Sequence, residues 1–287
     1  MKKATWILCG LLVSSGCGFD ERVPIEMASM SQAQPLGNEK SLDSTIRYDI
    51  GSLEITGGEQ TKDLYSYDLE YDKATYRPEV QYQEDPASEK GRLYFNLQRI
   101  HRSGVRRHRY NNRIRLAFNN SVPLSLSVNA GVGDARLSLS GMKLSRVNLE
   151  AGVGGAKIAV YEPNSIPCDY VGIKNGVGGL DAVGLGNLDF RTLEFEGGVG
   201  GANLDLTGEW KRDAEIHIKV GVGGVNVKMP RELGVKVESE KSFLSGVQLE
   251  GFNQRDSIHY SSNYDTAKIR VSVRIETGIG GLKITWI

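Results

Sequence analysis

Apolar and polar residues alternate with a period of two along most of the chain beyond residue 44, which predicts β-strands rather than helices. Around one Gly-Val-Gly sequence the apolar residues occupy odd positions from Leu149 through Val153, and then even positions at Ala156 and Ile158. Strand side chains alternate between faces, so a bulge or corner must absorb this change of parity if one face is to stay buried. The pattern predicts short strands that meet in pairs at a glycine corner.

Five Gly-Val-Gly sequences and one Gly-Ile-Gly sequence repeat along the chain, and the first five centres lie about 22 positions apart. The longer interval from Val222 to Ile279 is expected to contain a rung without the glycines, between Val235 and Leu249. The repeat predicts an all-β, right-handed solenoid-like stack of two-strand rungs with Gly-Val-Gly-Gly corners and a period of about 22. The predicted corner glycines are Gly131, Gly133, Gly152, Gly154, Gly155, Gly176, Gly178, Gly198, Gly200, Gly221, Gly223, Gly278 and Gly280.

The chain divides into four predicted regions. Residues 1–17 are read as a lipoprotein signal peptide with its acceptor cysteine, and residues 18–43 as a flexible tether. Residues 44–122 are read as an N-terminal β region that carries a basic hairpin. Residues 123–287 are read as the glycine-repeat solenoid, continuous with that region.

The N-terminus has the pattern of an export signal. A positive start is followed by a short apolar core, Ala4 to Val13, and by the small residues Ser14 to Gly16 directly before Cys17. This order is similar to the bacterial lipobox and predicts acylation of Cys17. The alternative is ordinary secretory cleavage near Gly16. The predicted location is the bacterial cell envelope, anchored by lipid at the outer membrane or cell surface, or secreted or periplasmic without the lipid.

Charge and cysteine content narrow the classes of partner. The 35 Lys and Arg residues balance 35 Asp and Glu residues, so no global field steers the chain to nucleic acid, and a nucleic-acid partner is not expected. Cys9 leaves with the signal peptide and Cys17 would carry lipid. Cys168 then has no partner for an intramolecular disulfide, and we expect it to be a small buried residue rather than a nucleophile.

Several separated segments, covering roughly residues 45–287, resemble the toast-rack domain family. They are Ile50 to Gly58, Pro123-Leu124, Val128 to Gly133, Leu137 to Gly141, Tyr264 with Ala267, and Ile275 to Gly280. The family is similar in fold to the C-terminal domain of LiaF-like membrane proteins, which modulate responses to envelope stress, and to glycine-repeat candidate adhesins of bacteria. The resemblance implies a stacked β architecture and an envelope location, and it carries over no catalytic residue. The chain lacks the transmembrane helices of LiaF-like proteins.

The glycine sequences do not fit a cofactor or metal site, and none is predicted. Gly152 to Lys157 lacks the spacing and the following helix of a phosphate loop. Calcium-binding repeats need an Asp at a fixed place in each turn, which the chain does not have. Its four histidines form no metal-binding motif, and His217 is expected on the solvent face of a strand.

One segment, residues 99–115, is strongly basic and contains no acid. We expect a solvated hairpin with its turn near Ser103-Gly104. The alternative is a binding site for an anionic envelope glycan or lipid, because guanidinium groups bind phosphate and carboxylate. The residues proposed for that site are Arg102, Arg106, Arg107 and Arg109.

The function expected from these features is a non-catalytic structural or interaction module of the envelope, involved in adhesion or envelope stress. It would bind a membrane through its lipid, and a protein or an anionic polymer as partner. A third hypothesis is an enzyme that cleaves polysaccharide on a solenoid frame, which needs clustered carboxylates along a groove. The acids that would line such a face are Glu150, Glu194, Glu196 and Glu276.

Overall fold

The computed structural model describes residues 24–58, 62–100, 112–240 and 245–287. These residues form nineteen β-strands and one 3₁₀ helix, Leu185–Leu188, so the predicted all-β class is confirmed. The strands are β1 Met27–Pro35, β2 Ser41–Ile50, β3 Ser52–Gly58, β4 Asp63–Asp72, β5 Tyr76–Asp85, β6 Lys90–Arg99, β7 Arg113–Asn119, β8 Pro123–Val132, β9 Ala135–Ser138, β10 Lys143–Val153, β11 Ala156–Ala159, β12 Cys168–Val183, β13 Phe190–Asp205, β14 Ala214–Met229, β15 Gly234–Glu240, β16 Ser245–Leu249, β17 Phe252–Arg255, β18 Ile258–Ser261 and β19 Arg270–Trp286.

Parallel pairing arranges most of these strands into two ladders. The first ladder runs in the order β6, β2, β8, β10, β12, β13, β14, β19, β15. The second ladder runs in the order β7, β3, β9, β11, β12, β13, β14, β19, β16. Four long strands, β12, β13, β14 and β19, pass through both ladders. We call a pair of arms, one in each ladder, a rung.

The stacking order of the rungs departs from their order in the sequence at two places. The rung of β2 and β3 lies between that of β6 and β7 and that of β8 and β9. Strand β19 pairs directly with β14, and the rung of β15 and β16 stacks on the far side of β19. The rung expected in the long interval before Ile279 therefore exists, but it lies outside the last glycine rung rather than before it.

The core lies on the faces that the two ladders turn inward. Leu149 and Ala151 are buried before the corner and Ala156 and Ile158 after it, as the change of parity predicts. The buried residues of both ladders form one continuous cluster that runs along the stack. Each rung contributes a few apolar side chains and buries them only against its neighbours, so the stack as a whole supplies the hydrophobic stabilisation.

The segment predicted as a flexible tether, residues 18–43, is partly ordered strand, so this boundary was wrong. Met27–Pro35 forms β1, which pairs antiparallel with β4, and Ser41–Ile50 forms β2. Strand β1 buries little: Met27 and Met30 are both exposed. Its backbone pairing holds it in place, and a pattern of apolar positions cannot reveal a strand of that kind.

The two strands that flank the predicted basic hairpin do not pair with each other, because they belong to different ladders. Strand β6 pairs with β2 and β5, whereas β7 pairs with β3 and β4. In register, Leu97 lies beside Tyr48 and Arg113 lies beside Ser52. Residues 101–111, which include the predicted turn at Ser103-Gly104, lie outside the described residues.

Candidate interaction surface at the glycine corners

One glycine in each corner has a left-handed backbone conformation. These glycines, which directly follow the central Val or Ile, have φ between 130° and 143°. A Cβ atom at any of them would lie 1.8 to 2.0 Å from the carbonyl oxygen of the equivalent glycine on the neighbouring rung. No other residue type fits this combination of conformation and contact. The six are Gly133, Gly154, Gly178, Gly200, Gly223 and Gly280.

The glycine before the central residue is required for a different reason. Its φ is not in the left-handed region, but an added Cβ would meet a backbone carbonyl oxygen of the neighbouring rung at 2.2 to 2.6 Å. Close approach of two backbones excludes a side chain here. The six are Gly131, Gly152, Gly176, Gly198, Gly221 and Gly278.

A third glycine column has neither requirement. A Cβ at Gly179 would meet nothing within 4 Å, and at Gly201 or Gly224 it would meet only a carbonyl oxygen at 3.9 Å. Gly155, which we predicted as a corner residue, belongs to this column, and its Cβ would touch only the carboxylate of Asp134. Neither backbone conformation nor lack of space explains glycine at Gly179, Gly201 and Gly224, whereas a Cβ at Gly281 of the same column would lie 3.1 Å from the carbonyl oxygen of Gly246.

The central residues of the corners form an exposed apolar row, which we call the valine ridge. Five of them expose between 44% and 53% of their surface, although their parity predicted that they would face inward. The alternation continues through the corner, but the chain turns there and leaves this side chain outside both ladders. The parallel register places each beside the next along the stack. The ridge comprises Ile50, Val132, Val153, Val177, Val199, Val222 and Ile279.

Beside the ridge, a groove of about 790 Å³ crosses the strands of the second ladder. The third glycine column forms its floor, and a row of polar side chains two positions further along each strand lines it. We call this the glycine-floored groove. Its polar row comprises Arg136, Lys157, Asp181, Asn203, Asn226, Lys283 and Gln248, which are neighbours in register.

On the outer face of the first ladder, acids alternate with lysines from rung to rung. In register, Glu150 lies beside Lys174, which is followed by Glu196, Lys219 and Glu276. The Lys174–Glu196 pair is separated by 3.7 Å and the Lys219–Glu276 pair by 3.6 Å. In a parallel stack identical charges would repel each other, and the alternation avoids this. Glu196 and Glu276 thus each pair with a lysine, whereas Glu150 accepts a hydrogen bond of 3.0 Å from the Asn129 amide.

Glu194, the remaining acid of the enzyme hypothesis, lies in a smaller pocket of about 180 Å³ on the same face, which Glu196 and Glu276 also line, together with Tyr170 and His217. It accepts a hydrogen bond of 2.7 Å from the Tyr170 hydroxyl. Burial, followed by this hydrogen bond, raises the pKa of Tyr170 to about 12. His217 is partly exposed and approaches Glu215 at 3.9 Å. The three carboxylates of this pocket are interspersed with the cations Lys174, Lys219 and Arg274.

The other predicted residues divide by location. Cys168 is fully buried, and burial raises the pKa of its thiol to about 12, so it does not have the thiolate character of a nucleophile. No three His, Cys, Asp or Glu side chains are grouped for a metal within the described residues. The same part of the chain contains no helix long and apolar enough to cross a bilayer. Cys17 and the arginines Arg102, Arg106, Arg107 and Arg109 lie outside the described residues.

The identity of the fold rests on a family comparison. The model for the N-terminal domain of toast_rack, DUF2154, matches residues 21–182 and 163–228. The chain belongs to this toast-rack family. The resemblance seen in the sequence is thereby confirmed. No curated protein matches the chain.

Solved structures similar to this toast-rack chain come from bacteria. A candidate cell adhesion protein from Clostridium sporogenes is 20% identical, with 91% of this chain and 100% of that chain covered and a TM-score of 0.45. A candidate adhesin from Bacteroides fragilis is 13% identical, with 92% and 99% covered and a TM-score of 0.38. Likeness at these TM-scores carries no information about what this chain binds.

Proposed function

We propose that this toast-rack protein is a non-catalytic interaction module of the bacterial cell envelope, which contacts a partner through the valine ridge. The observation that carries the proposal is the exposure of Val153, Val177, Val199, Val222 and Ile279 in one line. We also propose that the rungs wind in a right-handed sense, because connections between parallel strands are nearly always right-handed.

The ridge differs from the scattered apolar residues of an ordinary surface. Single exposed valines need no explanation, whereas a contiguous exposed apolar row indicates an interaction site. Neighbouring strands lie about 4.8 Å apart, so the seven ridge residues span about 29 Å. Glycine flanks each central residue from Val132 to Ile279, and the neighbouring side chains are therefore too small to cover the ridge. This supports a rigid, straight contact surface.

A site-specific crosslink tests the ridge. A photoreactive amino acid in place of Val199 should give a discrete adduct in intact cells. The same photoreactive amino acid in place of Thr192, on the outer face of the same strand, should give none. Replacing Val177 and Val222 with Thr, which keeps the β-branched shape, should abolish the adduct at position 199. Adducts of equal yield at both positions, or none at position 199, would show that the ridge is not the contact surface.

The proposed anchor is Cys17, acylated after removal of the signal peptide. Since β1 begins at Met27, about nine residues connect the lipid to the first strand, and they reach about 30 Å when extended. The folded body would then stay close to the membrane surface. Mass spectrometry of the mature N-terminus tests this anchor: a diacylated Cys17 is expected, and an unmodified peptide that contains Cys17 would contradict it.

An alternative site for an anionic envelope glycan or lipid is the arginine-rich segment. The specific observation in its favour is that β6 and β7, the strands on either side of this segment in the sequence, belong to the rung beside the one that contains Ile50. Exposed charges are screened within about 10 Å at 0.1 M salt. Binding to envelope polysaccharide should therefore weaken steeply with salt, and it should disappear when Arg102, Arg106, Arg107 and Arg109 are changed to Ser. Equal binding by both proteins would exclude the segment.

A further inference from the structure

We infer that the glycine-floored groove binds a linear polysaccharide, with the chain of sugar rings lying across the strands. This inference rests on the proposed function, because it assigns a ligand class to the corner region of the same non-catalytic module. It concerns a surface separate from the valine ridge and from the arginine-rich segment.

The glycine floor is the first line of support. Gly179, Gly201 and Gly224 lie in register on three successive strands, and a side chain at each would project into open space. Glycine inside a strand weakens it and often marks a place where a ligand or another backbone approaches closely. The first two glycine columns are explained by backbone approach within the stack. Gly179, Gly201 and Gly224 have no such explanation, so we assign them to close approach of a ligand.

The polar row supplies the recognition chemistry. Asn203 and Asn226 are neighbours at its centre, and an amide both donates and accepts hydrogen bonds, as sugar hydroxyls require. Within the described residues, the side chains of Lys157, Asp181 and Lys283 take part in no ion pair or hydrogen bond. The Oδ1 atom of Asn226 is buried and has no hydrogen-bond partner among the described residues. Such an acceptor is costly to leave unpaired, and a hydroxyl group reached by a small rotation of the side chain would satisfy it.

The backbone of the groove argues against a peptide as the occupant. Strands β12, β13, β14 and β19 are each paired on both sides beneath the groove, so their backbone groups cannot accept an added strand. Recognition must come from side chains that repeat about every 4.8 Å, whereas residues on one face of an extended peptide repeat about every 6.6 to 6.8 Å. An extended chain of pyranose rings repeats at nearly the spacing of the strands. The groove crosses seven strands and is about 29 Å long, which accommodates several rings.

Calorimetric titration of the full chain in detergent tests the inference. The probes are linear neutral glucan oligomers and linear oligouronates, each as a disaccharide and as a hexasaccharide, which distinguish an uncharged ligand from an acidic one. We expect one hexasaccharide to bind at least tenfold more tightly than its disaccharide. Gly201→Leu should fill the groove without a backbone clash and weaken binding at least tenfold. Thr192→Leu, on the same strand but on the outer face of the first ladder, is the matched control and should bind as the wild type does.

The variants also separate this inference from the proposed function. Binding unchanged in Gly201→Leu, or no binding of either polymer by the wild type, would overturn the groove site whatever the crosslink at Val199 shows. A crosslink at Val199 with no saccharide binding would leave the interaction module standing without its groove. Saccharide binding that is lost in Gly201→Leu, together with no crosslink at Val199, would support the groove and remove the ridge. A thermal unfolding curve of Gly201→Leu like that of the wild type would show that its fold is intact.

Discussion

Two adjacent glycines of β13 provide a sharp test of the corner geometry. Gly200 has φ of 143°, and its Cβ would lie 1.9 Å from the carbonyl oxygen of Gly178. Gly201 is outside the left-handed region, and its Cβ would meet only the carbonyl oxygen of Gly224 at 3.9 Å. We therefore expect Gly200→Ala and Gly201→Ala to change the free energy of unfolding in opposite directions.

The magnitudes follow from two effects. Alanine in a sparsely populated backbone conformation costs about 1 to 3 kcal/mol. Relief of the contact with Gly178 requires two rungs to move apart by about 1 Å, and forcing atoms into a packed region typically costs a further 1 to 3 kcal/mol. Alanine at Gly201 instead restricts the unfolded chain and should stabilise the protein by about 0.4 to 1 kcal/mol. The two variants should thus differ by about 2.4 to 7 kcal/mol.

Equilibrium unfolding in urea, monitored by far-ultraviolet circular dichroism, measures this difference. Gly200→Ala should shift the midpoint to lower urea than the wild type, and Gly201→Ala should shift it slightly higher, with similar slopes. Gly141→Ala is an additional comparison, because Gly141 is also left-handed, with φ of 73°, but its Cβ would meet only the side chains of Glu162 and Asn120, at 3.2 and 3.3 Å, and no backbone of another rung. Equal midpoints for the Gly200 and Gly201 variants would refute the reasoning from positive φ and rung contact.

Three further outcomes can be measured. Burial raises the pKa of Glu39, but hydrogen bonds from Tyr82 and from backbone amides outweigh this effect and hold the pKa below its usual value. Glu39→Gln should therefore destabilise the fold at neutral pH, where the wild-type carboxylate is charged. The difference in stability between variant and wild type should vanish as pH falls through the lowered pKa, which urea midpoints measured across pH would show. Arg212 binds the buried Asp189 carboxylate through two hydrogen bonds of 2.9 and 2.7 Å, so Arg212→Ala should cost about 2 kcal/mol in the same assay, less than for a fully buried pair. Cys168 should resist thiol reagents in the folded protein and react after unfolding, because its thiol is buried; rapid labelling of the native protein at this residue would contradict its placement.

The sequence was most informative where burial and backbone conformation leave a mark on residue type. The parity change around Gly154 could be predicted because inward positions must be apolar, and the corner requires glycine. The orientation of Val153 could not, since alternation alone does not distinguish a side chain between the ladders from one at a turn outside them. Strand β1 was missed for the related reason that backbone pairing, rather than an apolar face, holds it.

The groove was hidden for another reason. Gly201 and Gly200 look equivalent in the sequence, and only the geometry shows that one is required by the fold while the other is not. The polar row is spread over strands far apart in the chain, so Asn203 and Asn226 become neighbours only through the parallel register. A sequence signal did exist: the second glycine after the central residue recurs from Gly155 onward, beyond what a single corner needs.

The insertion of β19 between β14 and the rung of β15 and β16 has a consequence for the time course of folding. The chain leaves β14 at Met229 and supplies its partner only from Arg270 onward. Pairings that close long loops form slowly. Until β19 arrives, β14 presents a sixteen-residue edge of the kind that recruits strands from other molecules. The time that β14 waits for β19 is therefore a period in which the nascent protein is open to misassembly with its own copies.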